Sequence, residues 1–327
     1  MKILVVQIGR YGDLILTTPL LSAIKSHIPD CELHVLVSHR NEKLQKSITH
    51  VDKFYVYKKS LLSLITILFK LRKEKYDIYI DPKDEYSAES KYLSLLVGSK
   101  KSIGFNRGND LVFTIAIQSR YSGNDSVSSS HIAQRNVDIM RLLHHDNPKE
   151  LTFALKVSQD SKDFLSNYLV SCSTERYVVI NVSAGSINRY WQIEKWIEIK
   201  HFLVKNGFTV CLTSSPKDIE SLKSIKLQNP KVHIFTPRDI NDTVALIKNA
   251  VFIISPDSAP IHIASAFNIP VIGLFSAVDW NKNRFAPVSS LHQVVQPRGV
   301  HSDIRDITTS DVEIAVLELC ERIKKQL

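Results

Sequence analysis

The run GRYGDLILTTPL, residues 9–20, leaves the apolar stretch Ile3–Val6 and sets one carboxylate, Asp13, behind Gly12. A carboxylate at that point can cap the first turn of a helix. It can also take a proton from a hydroxyl brought to the strand end. Thr17 or Thr18 followed by Pro19 is a helix-start signal of its own. A helix opening there leaves Asp13 in the preceding turn, available as a base. Gly12 then allows a tight turn and leaves room for an incoming group, and Arg10 offers a cation for phosphate.

Three further loops hold residues suited to a nucleotide diphosphate. In FIISPDSAPIHIASAFNIPVIGLF (252–275), Asp257 or Ser258 can cap a helix whose first turn holds Ala259, Pro260 and His262. The N–H groups of such a turn attract phosphate. In SAGSINRYWQIEKW (183–196), Ser183, Gly185 and Ser186 permit close backbone approach, and Arg189 supplies a guanidinium fork for diphosphate oxygens. Trp191 and Trp196 read as packing residues. In TSSPKDIE (213–220), Asp218 or Glu220 can accept hydrogen bonds from a ribose. A capped core helix explains any one of these loops. Three at successive strand ends point to a nucleotide site.

The elements that must position these loops alternate along the chain. Ile3–Val6, Leu33–Val37, Phe54–Tyr57 and Ile78–Ile80 read as strands, as do Val178–Val182, Val210–Thr213, Val232–Phe235, Val251–Ile254 and Val271–Phe275. Amphipathic stretches lie between them, among them Ile193–Lys205, Lys217–Leu227 and Thr243–Asn249. A helix is expected over His131–His144, and a last one over residues 310–326 with Ser310 or Asp311 as N-cap. Strand, helix and strand in series mean βαβ units and parallel sheets, which bind ligands at the carboxyl ends of their strands. The pattern weakens between Gln118 and Ser173, with a polar loop over 119–130, so a domain boundary is expected around 150–175.

A chain of 327 residues suggests two cores. Hydrophobic content of 44% and charged content of 23% mark an ordinary globular protein. No apolar run reaches the roughly 20 residues a membrane span needs. The longest, LLSLITILF (61–69), fits a buried helix or an interfacial segment, and no signal peptide is read at the start. Cys31, Cys172, Cys211 and Cys320 lie far apart, which fits a reducing cytoplasm and neither a disulfide framework nor a zinc site. Residues 1–150 hold 22 Lys and Arg against 16 Asp and Glu, so the excess of positive charge is mostly N-terminal. Lys58, Lys59, Lys100, Lys101 and Arg107 are its candidates for anionic groups of a substrate or of a membrane face. No G-x-G-x-x-G, Walker A or D-x-D motif is present, which removes the main support for dehydrogenase, P-loop or metal-diphosphate chemistry. Nothing resembles a nucleic-acid-binding signature.

GRYGDLILTTPL, SAGSINRYWQIEKW and SPDSAPIHIASAF, in that order and with HIAQRNVDIMRLL (131–143) between them, resemble the heptosyltransferase family, glycosyltransferase family 9. The similarity covers essentially the whole chain. It implies a GT-B fold, two Rossmann-like domains with parallel sheets facing a central cleft. Residues 1–160 would form an acceptor-binding domain, 170–309 a nucleotide-sugar-binding domain and 310–327 a C-terminal helix. It implies inverting, metal-independent sugar transfer, most commonly of heptose from ADP-heptose onto lipopolysaccharide core, with no cofactor beyond the donor. Asp13 matches the family's proposed general base. Arg189 matches a basic position, usually Lys, near the donor phosphates. Asp257, Ser258, Ala259 and His262 match the donor-binding D-[ST]-G-x-x-H segment. Ala259 stands where Gly is usual, and Gln192 where Pro usually follows the Trp. Arg10, Lys58, Lys59 and Arg107 are candidates for the acceptor. The expected partners are a nucleotide sugar and an anionic glycolipid or oligosaccharide, with no nucleic acid. The expected place is the cytoplasm, with peripheral contact at the inner membrane. The alternatives are a transferase using another nucleotide sugar and a sugar-nucleotide epimerase.

Overall fold

The structure is a computed structural model and describes residues 1–83, 88–106, 113–118, 131–299 and 302–326. The chain divides into two compact units, Met1–Lys156 and Val157–Leu327. Each is built around a six-stranded, wholly parallel sheet.

In the first unit, β1 (Lys2–Gln7), β2 (Glu32–Ser38), β3 (Lys53–Tyr57), β4 (Ile78–Ile80), β5 (Lys101–Asn106) and β6 (Ile115–Gln118) lie in the order β3-β2-β1-β4-β5-β6. Its helices are α1 (Tyr11–His27), α2 (Leu61–Glu74), α3 (Ala88–Val97) and α4 (Ile132–Val137). The strand order reverses between β1 and β4, and ligands bind at such a switch point. Asp13 follows β1, and Asp81 follows β4.

The first helix does not start where the Thr-Thr-Pro signal suggests. It starts at Tyr11 with Arg10 as N-cap, and Pro19 lies inside it. Every residue from Leu14 to Ile24 is buried, as expected of a helix apolar all round. Pro19 cannot donate to the Ile15 carbonyl, which a helix would normally require. The Thr18 hydroxyl donates to that carbonyl instead, at 2.7 Å. At the next carbonyl, Leu16, the Asn136 amide of α4 donates at 3.0 Å. Thr18 thus serves the carbonyl that Pro19 leaves without its backbone donor, and Asn136, 120 residues from Leu16 in sequence, adds a donor beside it. The helix expected over His131–His144 is α4 followed by a 3₁₀ segment, Asp138–Leu143.

The second unit carries β7 (Val178–Asn181), β8 (Val210–Thr213), β9 (Val232–Phe235), β10 (Ile253–Pro256), β11 (Val271–Leu274) and β12 (His292–Val295), in the order β12-β11-β10-β7-β8-β9. This repeats the topology of the first unit, with the switch point between β7 and β10. Its helices are α5 (Gln159–Ser171), α6 (Ile193–Lys205), α7 (Ile219–Lys226), α8 (Ile240–Lys248), α9 (Ala259–Ala266), α10 (Asp279–Phe285) and α11 (Thr309–Lys324). The N-cap of α11 is Thr308 rather than Ser310 or Asp311. Asp311 sits three residues in, and its own N–H bonds the Thr308 hydroxyl at 3.2 Å in a capping box. Val312, Ala315, Val316 and Leu319 of α11 join the core formed by Val178, Ile180, Trp196, Ile254 and Ile272. Trp191 and Trp196 pack edge to face at 4.8 Å in that core, and the Trp191 indole donates to the Ile307 carbonyl.

Candidate active site

The carboxyl end of β7 is organised by a residue absent from the sequence-level candidates. Asn181 is buried, and its amide reaches the Ser183 carbonyl at 2.9 Å, the Ser255 hydroxyl at 2.9 Å and the Ser258 hydroxyl at 3.2 Å. Ser258 is the N-cap of α9, yet its hydroxyl donates to the Pro256 carbonyl and caps nothing. Pro260 occupies the second helical position and has no N–H to satisfy. The opening turn of α9 thus lacks a side-chain cap, which leaves its dipole to an incoming anion. Ala259 has no positive φ, so its backbone does not require glycine. His262 is buried on the same helix, with its ring 6.4 Å from that of Phe285.

Arg189 and Asp257 come together directly. Arg189 Nη1 lies 2.8 Å from Asp257 Oδ2, and the Asn281 amide donates to the same oxygen at 2.7 Å. Arg189 Nη2 faces Asn281 Oδ1 at 3.5 Å. The Asp257 side chain is 5% exposed and that of Arg189 34%. Two buried groups therefore hold one side of a guanidinium whose other side meets solvent. A guanidinium carries five donors in a fixed fork, so pairing with Asp257 leaves donors for a diphosphate. Asn281, in the first turn of α10 after β11, completes the cluster. Only its place past a further strand end could have marked it.

Asp218 has a structural task. Its Oδ2 accepts from the Ser183 hydroxyl at 2.6 Å, the Ser215 hydroxyl at 2.7 Å and the Tyr190 hydroxyl at 2.9 Å. The Ser215 N–H donates to Ser183 Oγ at 2.7 Å. These bonds lock the loops after β7 and β8 to each other. Glu220 does not join them: its side chain is 83% exposed and pairs with Lys223. Gly185 is exposed, and the Ser186 hydroxyl bonds Asn188 beside it.

In the first unit, Asp13 is the third residue of α1. Its carboxylate accepts from the Arg10 N–H at 2.7 Å. It therefore does cap the helix, from inside the first turn rather than from the N-cap position. Gly12 is helical and has no positive φ. Gly9 is the glycine that matters, because a Cβ there would lie 2.4 Å from Asp13 Oδ2 and 2.9 Å from Gln7 Oε1. Gln7 donates to Thr17 Oγ1 at 2.8 Å, and Thr17 donates to the Asp13 carbonyl at 2.8 Å. Ser38, the last residue of β2, and Asn41 beyond it donate to the carbonyls of Gly9 and Gln7 respectively. The Asp13 turn is fastened from three sides.

A second carboxylate borders this edge. Asp81 is buried directly after β4, accepts from the Lys83 N–H at 2.9 Å and bonds Ser90. Burial pushes its carboxyl up to about 6. The Tyr79 hydroxyl also donates to the Ser90 carbonyl.

The basic candidates separate. Arg10, Lys58 and Lys59 are exposed at the carboxyl edge of the sheet, and Lys59 pairs with Glu89 at 3.0 Å. Lys100 and Lys101 stand at the amino end of β5, the opposite edge from Asp13, and Lys100 pairs with Asp77. They do not belong with the Asp13 turn. Arg107 lies outside the described residues. Among the described residues, Glu32, His34 and Glu74 lie close enough to share a metal ion. Lys2 and Lys53 already pair with these carboxylates, and Glu32 begins β2 at that same far edge.

Comparison with known proteins agrees with this architecture. The family model glycosyltransferase family 9 (heptosyltransferase) matches residues 66–308. Lipopolysaccharide heptosyltransferase 3 of Escherichia coli is 24% identical over 291 residues, 84% of each chain. Two solved structures share the fold. A family 9 glycosyl transferase from Veillonella parvula superposes with a TM-score of 0.82 at 16% identity, covering 98% of this chain and 97% of that one. The E. coli ADP-heptose lipopolysaccharide heptosyltransferase II superposes at 0.78 with 20% identity, covering 99% and 100%. The two parallel-sheet units are those of the GT-B fold, and the chain belongs to glycosyltransferase family 9 (heptosyltransferase): it is a glycosyltransferase.

Proposed function

We propose that this enzyme transfers heptose from ADP-heptose to a lipopolysaccharide-type acceptor with inversion at the anomeric carbon. The observation that best supports this is the Arg189–Asp257–Asn281 cluster, set one residue before the uncapped N-terminus of α9. The leaving group of the reaction is a nucleotide diphosphate. A guanidinium held in place and a helix dipole stabilise the charge that develops on it. Ser183, Gly185, Ser186, Ser258, Ala259 and His262 line the same loops and would complete the donor site. Asp218 contributes by holding two of those loops together. No metal is needed where these groups carry the charge.

On the acceptor side, Asp13 would take the proton from the attacking hydroxyl as the new glycosidic bond forms. Attack comes from the face opposite the diphosphate, which inverts the centre. The Asp13 carboxylate keeps one oxygen on the Arg10 N–H. That bond fixes its direction. Arg10, Lys58 and Lys59 would meet anionic groups of the acceptor.

Thermal stabilisation by nucleotide sugars tests this reading. ADP-heptose should stabilise the protein, by about 2.7 kcal/mol at a hundredfold excess over Kd. GDP-, UDP- and dTDP-sugars should do so less. Arg189→Ala should lose the shift and Asp13→Ala keep it. Stabilisation by a different sugar nucleotide would replace the donor and retain the mechanism. Stabilisation by none would overturn the donor site.

A further inference from the structure

Helices α2 and α3 bury one face each against the first sheet and leave an apolar face outside. In α2, Ile67 and Leu71 are buried, while Leu61 is 74% exposed, Leu62 78%, Ile65 45% and Phe69 68%. At about 100° per residue these four fall within roughly a third of the helix circumference. In α3, Leu93 and Val97 are buried, while Tyr92, Leu95 and Leu96 are exposed. The helices run side by side in the same direction. Lys59, just before α2, pairs with Glu89 in the first turn of α3, and Arg72 near the end of α2 donates to the Leu96 carbonyl. Their exposed side chains therefore form one patch of seven large apolar residues, where surface apolar residues ordinarily stand singly.

The patch is bordered by positive charge. Lys58 and Lys59 precede it, Lys70, Arg72, Lys73 and Lys75 close the α2 end, and Lys91 lies on α3. Among the described residues, the carboxylates of Glu74 and Glu89 beside it are engaged. Glu74 is held by Lys2 and Lys53, and Glu89 by Lys59. Among the described residues, no helix is long and apolar enough to cross a membrane. An apolar face rimmed by Lys and Arg suits the boundary between acyl chains and anionic headgroups.

We propose that the outer face of α2 and α3 is a docking surface for an anionic phospholipid bilayer. Charge selects this occupant over a second copy of the chain. A two-fold contact through the patch would set the same cations against each other. Lys58 and Lys59 link the patch to the sheet edge that carries Asp13. Docking thus brings the Asp13 edge to the membrane surface, where a lipid-anchored acceptor is concentrated.

Flotation of the full chain with phosphatidylglycerol-containing vesicles and with pure phosphatidylcholine vesicles tests the proposal. The wild type should float with the anionic vesicles and far less with the neutral ones. Binding should weaken at higher salt. The pair Leu62→Glu and Phe69→Glu should weaken binding about tenfold or more, and so should Lys70→Gln with Lys73→Gln, since each surface cation is worth about 1 kcal/mol. Leu317→Glu, an exposed apolar position on α11, should bind as the wild type does. Unfolding midpoints of all variants control for misfolding. Absence of vesicle binding would overturn the proposal, as would equal binding by wild type and patch variants. So would a concentration-dependent dimer that the patch variants abolish without any vesicle binding.

Discussion

Arg189 Nη1 and Asp257 Oδ2 stand 2.8 Å apart, joining the loop after β7 to the loop after β10 across the switch point of the second sheet. The carboxylate is buried and the guanidinium is partly in solvent. Removing the cation therefore costs more than losing a surface pair, because it leaves a buried charge with a weaker partner set. Arg189→Gln should destabilise the protein by about 1–3 kcal/mol in urea unfolding. Adding Asp257→Asn should recover most of that loss, since Asn keeps an acceptor for Asn281. Additive losses would mean that the two side chains are not coupled.

Gly9→Ala should abolish turnover while the protein stays folded. The added methyl meets Asp13 Oδ2 at 2.4 Å, so the carboxylate must swing off the Arg10 N–H. Steady-state kinetics should show kcat falling and donor-induced stabilisation unchanged. Unchanged kcat would show that the position of this carboxylate does not matter.

Gln192 occupies the N-cap of α6 at φ −67, a value that proline adopts by its ring geometry. Its buried Oε1 has no hydrogen-bond partner among the described residues. Gln192→Pro, the residue usual in the family, should raise stability by about 0.4–1 kcal/mol. A lowered thermal midpoint would show that the Gln192 N–H is needed.

Asp81 and Glu74 give opposite pH dependences. Burial raises Asp81 to about 6, above its unfolded value of 3.8. The folded state therefore holds its proton more tightly, and this group's contribution to stability declines as pH rises from about 4 to about 6. Hydrogen bonds from Lys2, Lys53 and Tyr55 hold Glu74 down at about 2, below its ordinary 4.5. Its contribution is present above pH 4.5 and is lost as pH falls toward 2. Stability measured against pH should flatten between pH 4 and 6 in Asp81→Asn. The acid limb below pH 4.5 should flatten in Glu74→Gln. An unchanged profile in either variant would refute that assignment.

The strands rich in Val and Ile were legible because both faces of a parallel sheet are buried and their apolar runs are nearly continuous. β5 (KSIGFN), β6 (IAIQ) and β12 (HQVV) were not, being short or mixed with polar residues. Gly104 lies inside β5. In the fold it makes room for the Phe113 ring, which a Cβ would meet at 2.7 Å. The start of α1 was misread for a related reason. Pro19 marks a helix start by local chemistry, but the helix already runs from Tyr11, and the Thr18 hydroxyl serves the carbonyl that the proline leaves. Of the candidate site, the sequence marked the positions that charge or a turn announces: the Arg189–Asp257 pair and the Asp13 turn. The site was hidden where neutral amides do the positioning, at Asn181 and Asn281, because their roles exist only once distant strand ends are neighbours. Glu220 and Lys100 show the converse, since a suitable side chain beside a strand can still point into solvent or lie at the wrong edge.

The most direct measurement is turnover of Asp13→Asn on a lipopolysaccharide-core acceptor at saturating ADP-heptose. The asparagine keeps an oxygen for the Arg10 N–H, so the unfolding midpoint and the donor-induced stabilisation should match the wild type. Loss of the base should lower kcat by about 10²–10⁴-fold. A kcat within about tenfold of the wild type, in a variant that binds donor normally, would leave Asp13 as a helix cap alone, since general-base loss exceeds that range.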